Sequence, residues 1–447
     1  MQMTFDTPVV RKVDVLVIGG GCAGIAAAVS AARHGAKVLI TDANNSLGGM
    51  ATSGMVGPFM TCYDPKAERQ VIKGIFDEMV RRMVEKGGAI APENVQAGTS
   101  LTAWRVKGHD NCTPFSHESF KVAADEICQE AGVEVLFHAL FVNTRMNEAG
   151  DKIEGAVFAT KAGMIEIQAE QFIDCTGDGD VAYRSGVPCQ YGDEEGNTQP
   201  SSMFFIIRNV DKEKLEKLCA EKGPAALYFQ EQVEKEIVEG RYSVPRNKVA
   251  LYENPDGTFR VNMSRVTMKN GCDPFDVSAA TIKARAQVKE IMDLLRRLVP
   301  GCENIELVET ASMLGQRETR RILGDFILTG EDILHKTKFD DVIFMAGSSM
   351  DMHGGRAVNY TPAQGEAYSV PYRILLPQKV DNLLVAGRAC SLDRMALAAI
   401  RVMPPVFAMG QAAGTAAALC VKQCIAPKNV DIAQLQEKLL ADNVVLA

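Results

Sequence analysis

The chain has 447 residues, a net charge of −8, 47% hydrophobic residues and 23% charged residues. This length predicts two or three domains with sizeable cores, and the acidic balance argues against nucleic acid as the main partner. The N-terminus lacks the apolar stretch of a secretory signal, and the apolar segment 395–421 is interrupted by Arg401 and two prolines, so we expect no membrane insertion.

The first elements of the chain form a strand–helix–strand unit. Residues 13–18 are an apolar run that predicts a buried strand, and residues 25–34 predict a helix that ends at Gly35. Residues 37–41 predict a second buried strand. This order, within about 30 residues, is typical of a parallel sheet with a right-handed crossover.

The following elements extend this sheet. An amphipathic pattern predicts a helix at 69–86, and Ser116 is the expected N-cap of a helix that ends near residue 131. Over residues 142–169 the pattern changes to short alternating runs, which indicates an antiparallel hairpin or meander. Two further strands are predicted at 133–137 and 172–175.

The middle of the chain is more irregular and more charged. Its periodicity predicts helices at 212–220, 223–239 and 277–298. Segments with β-like composition surround Tyr252, Phe259 and Val308. We therefore expect this region to form a separate, smaller domain with both helices and strands.

The C-terminal region returns to the pattern of the first domain. Residues 382–386 predict a short buried strand, and a helix begins near Pro404 or Pro405 and ends near Lys422. We predict three parts in consequence: a discontinuous domain of residues 1–200 and 370–425, a cap or substrate domain of residues 200–370, and a helical tail of residues 426–447.

A glycine-rich turn lies between the first strand and the first helix. Gly19 permits a tight turn, Gly21 lets the backbone approach a pyrophosphate, and Gly24 lets helix and strand pack closely. Asp42 ends the second strand, where an acid hydrogen-bonds a ribose diol and disfavours a 2′-phosphate. The constellation predicts a bound dinucleotide; the alternative is a glycine-rich turn without a ligand.

Further motifs follow Asp42 in a fixed order: 47–52 (LGGMAT), 174–180 (DCTGDGD), 316–322 (QRETRRI), 371–373 (PYR), 382–388 (NLLVAGR), 401–404 (RVMP) and 410–418 (GQAAGTAAA). Through them the chain resembles the FAD-dependent oxidoreductase family of two-dinucleotide-fold flavoproteins, which are distantly similar to fumarate reductase and succinate dehydrogenase flavoproteins. The resemblance covers nearly the whole chain. It departs from the fumarate reductase relatives in the middle domain, so their substrate site is not carried over.

The resemblance implies an α/β fold with a Rossmann-like FAD-binding domain, in which a parallel sheet carries an antiparallel β crossover, plus a smaller α+β cap. It implies FAD as the cofactor and a helix near Pro404 whose N-terminus points at the flavin ring; a plain packing helix is the alternative for that segment. The residues implied in cofactor binding are Gly19, Gly21, Cys22, Ala23, Gly24, Asp42, Gly48, Gly49, Met50, Ala51, Thr52, Thr176, Gly177, Asp178, Gly387, Arg388, Gly410 and Ala413.

Candidate catalytic residues come from the middle region and the C-terminal return. His353 is flanked by glycines and precedes the return to the cofactor domain, so we predict that it exchanges a proton or contacts the flavin; a structural turn histidine is the alternative. Arg401 is a charge within apolar sequence and needs flavin, substrate or an acid as its partner. Arg317 and Arg373 are expected to line the same cavity, and Tyr360 and Tyr372 are weaker proton-relay candidates.

Arg317 also belongs to a cluster with Glu318, Arg320 and Arg321 that is expected either to bind an anionic or polyhydroxy substrate or to form an ion-paired helix face. The predicted function is hydride transfer between flavin N5 and a small polar substrate, with an unidentified electron acceptor or donor. The alternatives are a flavin-dependent C=C reductase of the fumarate reductase type and a non-enzymatic flavoprotein that acts on or senses redox state or nucleic acid. The twelve cysteines, without C-x-x-C spacing, predict reduced structural thiols in a cytoplasmic protein and no metal site.

Overall fold

The computed structural model describes residues 6–66, 68–95, 111–353, 359–360 and 366–447. The strands of this part of the chain are β1 (Val9–Ile18), β2 (Val38–Thr41), β3 (Glu134–Leu136), β4 (Leu140–Met146), β5 (Ile153–Thr160), β6 (Gly163–Asp174), β7 (Cys189–Tyr191), β8 (Phe205–Arg208), β9 (Leu251–Glu253), β10 (Phe259–Val261), β11 (Glu306–Thr310), β12 (Arg320–Ile322), β13 (Val342–Ala346), β14 (Met350–Asp351), β15 (Asn359–Tyr360), β16 (Tyr368–Pro371) and β17 (Leu383–Val385).

The α-helices of the same residues are α1 (Cys22–Arg33), α2 (Ile75–Glu85), α3 (His117–Glu130), α4 (Asp180–Arg184), α5 (Lys212–Lys222), α6 (Gln230–Val238), α7 (Pro274–Leu298), α8 (Gly330–Leu334), α9 (Arg394–Ile400), α10 (Met403–Gln423) and α11 (Ile432–Ala441). Short 3₁₀ helices include Gly49–Ala51, Pro92–Asn94, Pro224–Tyr228, Tyr372–Leu375 and Pro427–Asn429.

The main sheet combines parallel and antiparallel strands. Its order is β3-β2-β1-β6-β5-β4, and β17 pairs with the second half of β6. β1 lies parallel to β2 and β6, whereas β5 is antiparallel to β4 and β6. The long strand β6 therefore belongs to both the parallel core and the antiparallel crossover. The predicted α/β class with these two kinds of strand pairing is confirmed.

Helices α1 and α10 cross in close contact on one face of the main sheet. A Cβ atom at Gly410 would collide with the backbone of Ala23, and one at Gly414 would collide with the backbone of Ala27. By length and composition α10 could span a membrane, but 89% of its most apolar stretch is buried inside the protein. It is a core helix of this fold.

The opposite face of the main sheet has its own apolar core. Leu16 and Phe172 of the parallel strands pack there against Phe158 of the crossover and Val181 of α4. The parallel strands are thus covered on both faces, which explains why residues 15–18 and 383–386 are continuous apolar runs and not alternating ones.

A second antiparallel sheet, with the order β11-β8-β10-β9, lies outside this domain. Helix α7 covers it with buried residues that include Ala284, Val288, Ile291 and Leu295. The N-cap of α7 is Asp273, whose carboxylate accepts hydrogen bonds from two first-turn amides. The sheet and its helices form an α+β unit, which we refer to as the cap.

Several predicted element boundaries were wrong. The helix predicted at 69–86 begins only at Ile75, because Gly74 adopts a φ of +63°. The helix predicted at 223–239 is interrupted at Phe229, which adopts a φ of +48° and divides a 3₁₀ helix from α6. Ser116 is the N-cap of α3 as predicted, accepting from the Ser119 amide at 3.4 Å. Helix α9 had not been predicted.

The predicted domain division stays a prediction, but burial moves its second boundary. Buried residues between 203 and 314 form the core of the cap. Buried residues between 328 and 375 instead share the core of α1 and α10. We therefore place the end of the cap near residue 315 and not at 370. The predicted tail contains α11, whose Leu435 and Leu439 are buried in the α1–α10 core.

Candidate functional site

Four parallel strands end at the same edge of the main sheet. Ile18 pairs in register with Thr41 and with Asp174, and Asp174 pairs with Val385. The segments that follow these strands are the glycine-rich turn, Asp42, the 174–180 motif and the Gly387-Arg388 turn. The carboxyl ends of parallel strands are where open α/β sheets bind ligands.

The glycine-rich turn uses its three glycines for different purposes. Gly19 adopts a φ of +103°, and a Cβ there would lie against the backbone of Cys175. A Cβ at Gly24 would collide with the carbonyl oxygen of Gly19. In contrast, no atom of the described chain lies within 4 Å of a Cβ position at Gly21, the N-cap of α1. Gly19 and Gly24 are therefore required by the protein itself, whereas Gly21 is open to a ligand.

The N-terminus of α1 is suited to a phosphate group. It has no side-chain cap and no acidic residue in its first turn. Its first amides carry the positive end of the helix dipole, and no side chain of the first turn compensates it.

Asp42 organises the loop beside this helix end. Its Oδ2 accepts from the Gly20 amide at 2.7 Å, and its Oδ1 accepts from the Asn44 amide at 2.7 Å. The Gly20 carbonyl in turn accepts from the Gly48 amide at 2.8 Å. These bonds hold the 47–52 segment against the glycine-rich turn, so both segments border the same space.

Several residues of this region that were predicted to bind the cofactor have side chains engaged in the protein. The hydroxyl of Thr52 is buried and donates to the Leu47 carbonyl at 2.8 Å. Cys22 is buried, and burial raises the pKa of its thiol to about 12. Met50 and Ala51 form the 3₁₀ turn that begins at Gly49. The contribution of these residues to a ligand is consequently one of backbone and shape.

A charged hub joins three of the sequence motifs. Asp178 accepts from Arg388 Nη2 at 2.8 Å and from the Thr319 hydroxyl at 2.6 Å. Arg388 Nη1 also donates to the Thr319 hydroxyl at 2.7 Å. The guanidinium of Arg388 is therefore bound to the protein, and the hub fixes the Thr176-Gly177 turn beside the Gly387 turn.

Asp174 lies next to this hub and fixes the Thr176 turn by hydrogen bonds. Its carboxylate accepts from the Thr176 amide and hydroxyl and from the Ala182 amide, at 2.7 to 3.1 Å. Burial raises the pKa of Asp174 to about 6, although these hydrogen bonds oppose the shift. The residue is a structural anchor for the start of α4.

The start of α10 lies close to the N-terminus of α1. A Cβ at Gly387 would come within 3.6 Å of Ala23 and 3.8 Å of Val406. Gly410 and Ala413, which were predicted to contact the cofactor, lie further along α10 and are buried in the helix contact. The structure gives Gly410 a packing role against Ala23.

His353 and Arg401 meet just before α10. His353 Nε2 is 2.8 Å from Asp351 Oδ2, and Arg401 Nη2 donates to the Asp351 carbonyl at 3.0 Å. Gln199 Oε1 accepts from both the His353 amide and Arg401 Nη2, each at 3.3 Å. The structure brings these two residues together, and their role at the flavin stays a prediction.

Arg317 is linked to Arg265 through Ser202. Arg317 Nη1 donates to the Ser202 hydroxyl at 2.9 Å and to the Pro200 carbonyl at 2.5 Å. Arg265 Nη1 donates to the same hydroxyl at 2.7 Å. Burial lowers the pKa of Arg265 to about 9, and burial also lowers the pKa of Arg317, with the charge of Arg265 adding to the effect.

The histidine and the carboxylate are both in their deprotonated forms at neutral pH. Burial lowers the pKa of His353 to about 4. The hydrogen bond to Asp351 acts to raise this pKa, and the positive charge of Arg317 acts to lower it further. Burial acts to raise the pKa of Asp351, but His353, Arg401 and Arg317 together hold it well below its usual range. Asp351 is therefore ionised and His353 is neutral.

Arg373 does not lie with these residues. Its guanidinium binds the Asp341 carboxylate at 3.0 and 3.1 Å and stacks on Phe326, with 46% of the side chain exposed. Tyr372 is buried and donates to the Pro427 carbonyl at 3.0 Å. The structure thus places Arg373, which was expected to line the His353 cavity, in an ion pair at the surface, and it places the proton-relay candidate Tyr372 in a buried contact with Pro427. Tyr360 is described only by its backbone, and Gly354 lies outside the described residues.

The neighbouring basic residues Arg320 and Arg321 form internal ion pairs. Arg320 binds Asp180 at 3.0 Å, and Arg321 binds the buried Glu318 at 2.5 Å. Of the two alternatives for the 317–321 cluster, ion pairing holds for these two arginines. Arg317 alone turns towards His353.

Comparison with known proteins decides the family. Residues 14–439 match the family model described as FAD dependent oxidoreductase. The chain belongs to this family. FAD dependent oxidoreductases are enzymes, and FAD is the cofactor of this chain. The glycine-rich turn, the uncapped α1 and the adjoining 47–52 segment fit a dinucleotide of this kind.

Individual relatives of this FAD dependent oxidoreductase are distant. Glutathione reductase of Schizosaccharomyces pombe is 52% identical over 42 residues, and the match spans 9% of each chain. A geranylgeranyl bacteriochlorophyll reductase-like protein from Thermoplasma acidophilum aligns with a TM-score of 0.50 at 14% identity, over 97% of this chain and 84% of its own. L-proline dehydrogenase from P. horikoshii aligns with a TM-score of 0.46 at 11% identity, over 97% of this chain and 99% of its own. The alignment with the geranylgeranyl bacteriochlorophyll reductase-like protein supports the Rossmann-like fold.

Sequence reasoning missed Gln199, Arg265 and Asp351 near His353, and it also missed Arg246, whose charge acts on Arg265 and Arg317. They come from four separate segments, so no spacing unites them. One available signal was overlooked, because Arg265 is the only charge in the segment 261–268 (VNMSRVTM). The argument applied to Arg401, that a charge within apolar sequence needs a partner, applies to Arg265 equally.

Proposed function

We propose that this FAD dependent oxidoreductase transfers a hydride between flavin N5 and a small polar substrate, with proton exchange at His353. The observation that supports the proposal is the position of the Asp351–His353 pair. Arg401, which contacts Asp351, immediately precedes α10, and α10 begins beside Gly387 and the N-terminus of α1. The proton site and the dinucleotide turn are thereby linked through the first turn of α10.

FAD supplies the hydride acceptor or donor, and the protein supplies orientation, charge and a proton acceptor. Because Asp351 is ionised, we assign the N–H of His353 to Nε2, which leaves Nδ1 as the atom that accepts a proton. The carboxylate orients the ring and stabilises its protonated form as the proton arrives. This arrangement is that of an oriented general base.

Two fixed charges flank the proton site. Arg401 and Arg317 are held by neutral oxygen atoms, so their charges stay available to a polar substrate or to negative charge that develops during the reaction. We propose that they orient the substrate. The proposed cofactor contacts are the backbone of the glycine-rich turn, Asp42, Gly48, Gly49, Thr176, Gly177 and Gly387.

A cytoplasmic location is part of the proposal. All twelve cysteines lie in the described part of the chain, and each is present as a thiol. Most are buried, and burial raises the pKa of Cys62, Cys128 and Cys302 to about 12. Unreactive buried thiols of this kind are typical of a reducing compartment.

The test is reduction of the purified, FAD-loaded protein without oxygen. The flavin absorbance is followed with a panel of sugars and hydroxy acids, and the reduced protein is reoxidised with unsaturated acids to test the opposite direction. With the best substrate, His353→Ala is expected to retain FAD and to react about 100-fold more slowly, the usual scale of general acid–base catalysis.

His335→Ala is the matched control. This histidine is 75% exposed and pairs with Glu331 on α8, so its replacement should leave the rate unchanged. If His353→Ala holds FAD and reacts at the wild-type rate, His353 is a turn residue. A wild-type protein that holds FAD and exchanges electrons with no member of the panel contradicts the proposed reaction.

A further inference from the structure

We propose that the substrate is an organic acid whose carboxylate is bound by a cluster of four arginines, Arg246, Arg265, Arg317 and Arg401. This inference deepens the proposed function, because it names the class of substrate that the His353 site accepts. It stands on three observations: the charges around the site, the hydrogen-bond donors left without partners, and the neutral partners of the guanidinium groups.

The first observation is an imbalance of charge. Arg265, Arg317 and Arg401 donate to the side chains of Ser202, Asn262 and Gln199 and to backbone carbonyls, all of which are neutral. In the described residues, Asp351 acts on both Arg317 and Arg401, and Glu318, which is already ion-paired with Arg321 and Arg394, also acts on Arg401. The positive charges of the cluster thus outnumber the carboxylates that face it.

Other arginines of the same region show the contrast. Arg388 binds Asp178, Arg320 binds Asp180, and both Arg321 and Arg394 bind the buried Glu318. These four arginines are therefore matched with carboxylates, unlike the arginines of the cluster. Burying an unmatched charge costs several kcal/mol, so an anionic ligand is the partner that this region requires.

The second observation identifies the chemistry of that partner. Arg246 Nε, Arg265 Nη2, Arg401 Nε and Gln199 Nε2 are buried and have no hydrogen-bond partner in the described chain. All four atoms are donors, so the ligand must supply acceptors. A carboxylate offers two oxygens with about four acceptor positions, which equals the number of these donors.

The cluster also adjoins the proton site. The Oε1 atom of Gln199 accepts hydrogen bonds from the His353 amide and from Arg401. The Nε2 atom of the same side chain has no hydrogen-bond partner in the described chain. Gln199 therefore has its free amide at the boundary between the histidine and the arginines. A carboxylate held there would place the rest of the substrate next to His353.

The test is calorimetric titration of the oxidised, FAD-loaded protein with malonate, succinate and benzoate, each compared with its neutral amide and with inorganic phosphate. At least one carboxylate is expected to bind at a single site at least tenfold more tightly than its amide and than phosphate, because hydrogen bonds to charged groups are at stake. If every amide binds as tightly as its acid, or phosphate binds most tightly, the proposal is overturned.

Variants locate the site. Arg265→Lys and Arg317→Lys keep the charge but lose the planar fork, and each should weaken carboxylate binding by about tenfold or more. Arg208→Lys is the control, because Arg208 lies on the surface of the cap and pairs with Glu306. Unchanged binding in both cluster variants overturns the proposal. Binding needs no turnover, so a protein that binds the acid but reacts with no substrate contradicts the proposed reaction and not this inference.

Discussion

At the scale of single residues, the three glycines of the dinucleotide turn illustrate how one motif combines structural and ligand requirements. Gly19 and Gly24 have no room for a Cβ, because the backbone of the protein occupies that space. Gly21 has an ordinary φ of −70° and open space where its side chain would be. The sequence pattern alone does not separate these cases.

This difference predicts the behaviour of two variants. Gly21→Leu should fold normally and purify without FAD, because the leucine side chain extends into open space and obstructs the approach of the pyrophosphate. Gly24→Ala should lose stability itself, because its Cβ meets the Gly19 carbonyl. The measurements are flavin absorbance per protein and chemical denaturation of each apoprotein.

Comparison of the two apoproteins separates the effects. The Gly21 variant should match the apo wild type in its free energy of unfolding, whereas Gly24→Ala should lie about 1–3 kcal/mol below it, the usual cost of overpacking. A yellow Gly21→Leu protein with a full complement of FAD would place the pyrophosphate elsewhere.

The glycine-rich turn, Asp42, Thr176 and Gly387 of the candidate cofactor region were predictable from the sequence, because each lies at the carboxyl end of a buried strand. The arginine cluster was not predictable as a set. Its members lie at residues 246, 265, 317 and 401, and folding alone brings them together. Arg373 shows the opposite error, since it belongs to a motif but binds Asp341 on the surface.

At the scale of elements, the sequence predicted strands and long helices well and their interruptions poorly. Buried strands are continuous apolar runs between turn residues, and this signal is local. The break at Phe229 and the late start of α2 depend on a positive φ at Phe229 and at Gly74. Tertiary contacts select such conformations, since a Cβ at Gly74 would collide with the Gln411 side chain.

The contact between α1 and α10 predicts that replacing glycine by alanine in α10 lowers the free energy of unfolding, whereas the same change in an exposed helix raises it. In a solvent-exposed helix, replacing glycine by alanine stabilises by about 1 kcal/mol. Here Gly414→Ala should destabilise by about 1–3 kcal/mol, because the added methyl group meets the Ala27 carbonyl and forces the helices apart. Chemical denaturation of the FAD-loaded protein measures the difference.

Gly257→Ala in the cap is a useful comparison, since no atom of the described chain lies near its Cβ and its strain comes from a φ of +80° alone. The loss of stability at Gly414 should be accompanied by retained FAD, because Gly414 lies a turn further from Ala23 than Gly410 does. A stabilised Gly414→Ala protein would show that the two helices are not in close contact.

At the scale of the whole molecule, the proposed His353 site draws residues from the cap and from the segment before α10, so we expect its geometry to depend on how the two neighbouring apolar cores are aligned. Gln199 and Arg317 lie near the ends of the cap, while Arg265 lies within it and Arg401 precedes α10. The site is therefore assembled from both sides. Its geometry depends on the contacts that hold the two cores together.

Arg260 is one such contact. It lies on β10 of the cap and is almost fully buried. Its guanidinium stacks on Phe115 at 4.4 Å and donates to the Phe115 carbonyl at 2.6 Å, both in the cofactor domain. Burial lowers the pKa of Arg260 to about 9, and its partners in the described chain are neutral carbonyls and a ring.

We predict that Arg260→Ala destabilises the protein by about 3 kcal/mol or more, because it removes buried hydrogen bonds and the ring contact and leaves a cavity between the two cores. Hydrogen exchange should show lost protection at β8 and β10 of the cap, with protection retained at β1 and β6. Arg208→Ala, on β8 but exposed, should change stability by less than about 0.5 kcal/mol. Equal loss of protection in both domains would mean that the two cores unfold as one unit and that Arg260 stabilises the molecule without specifically aligning its parts.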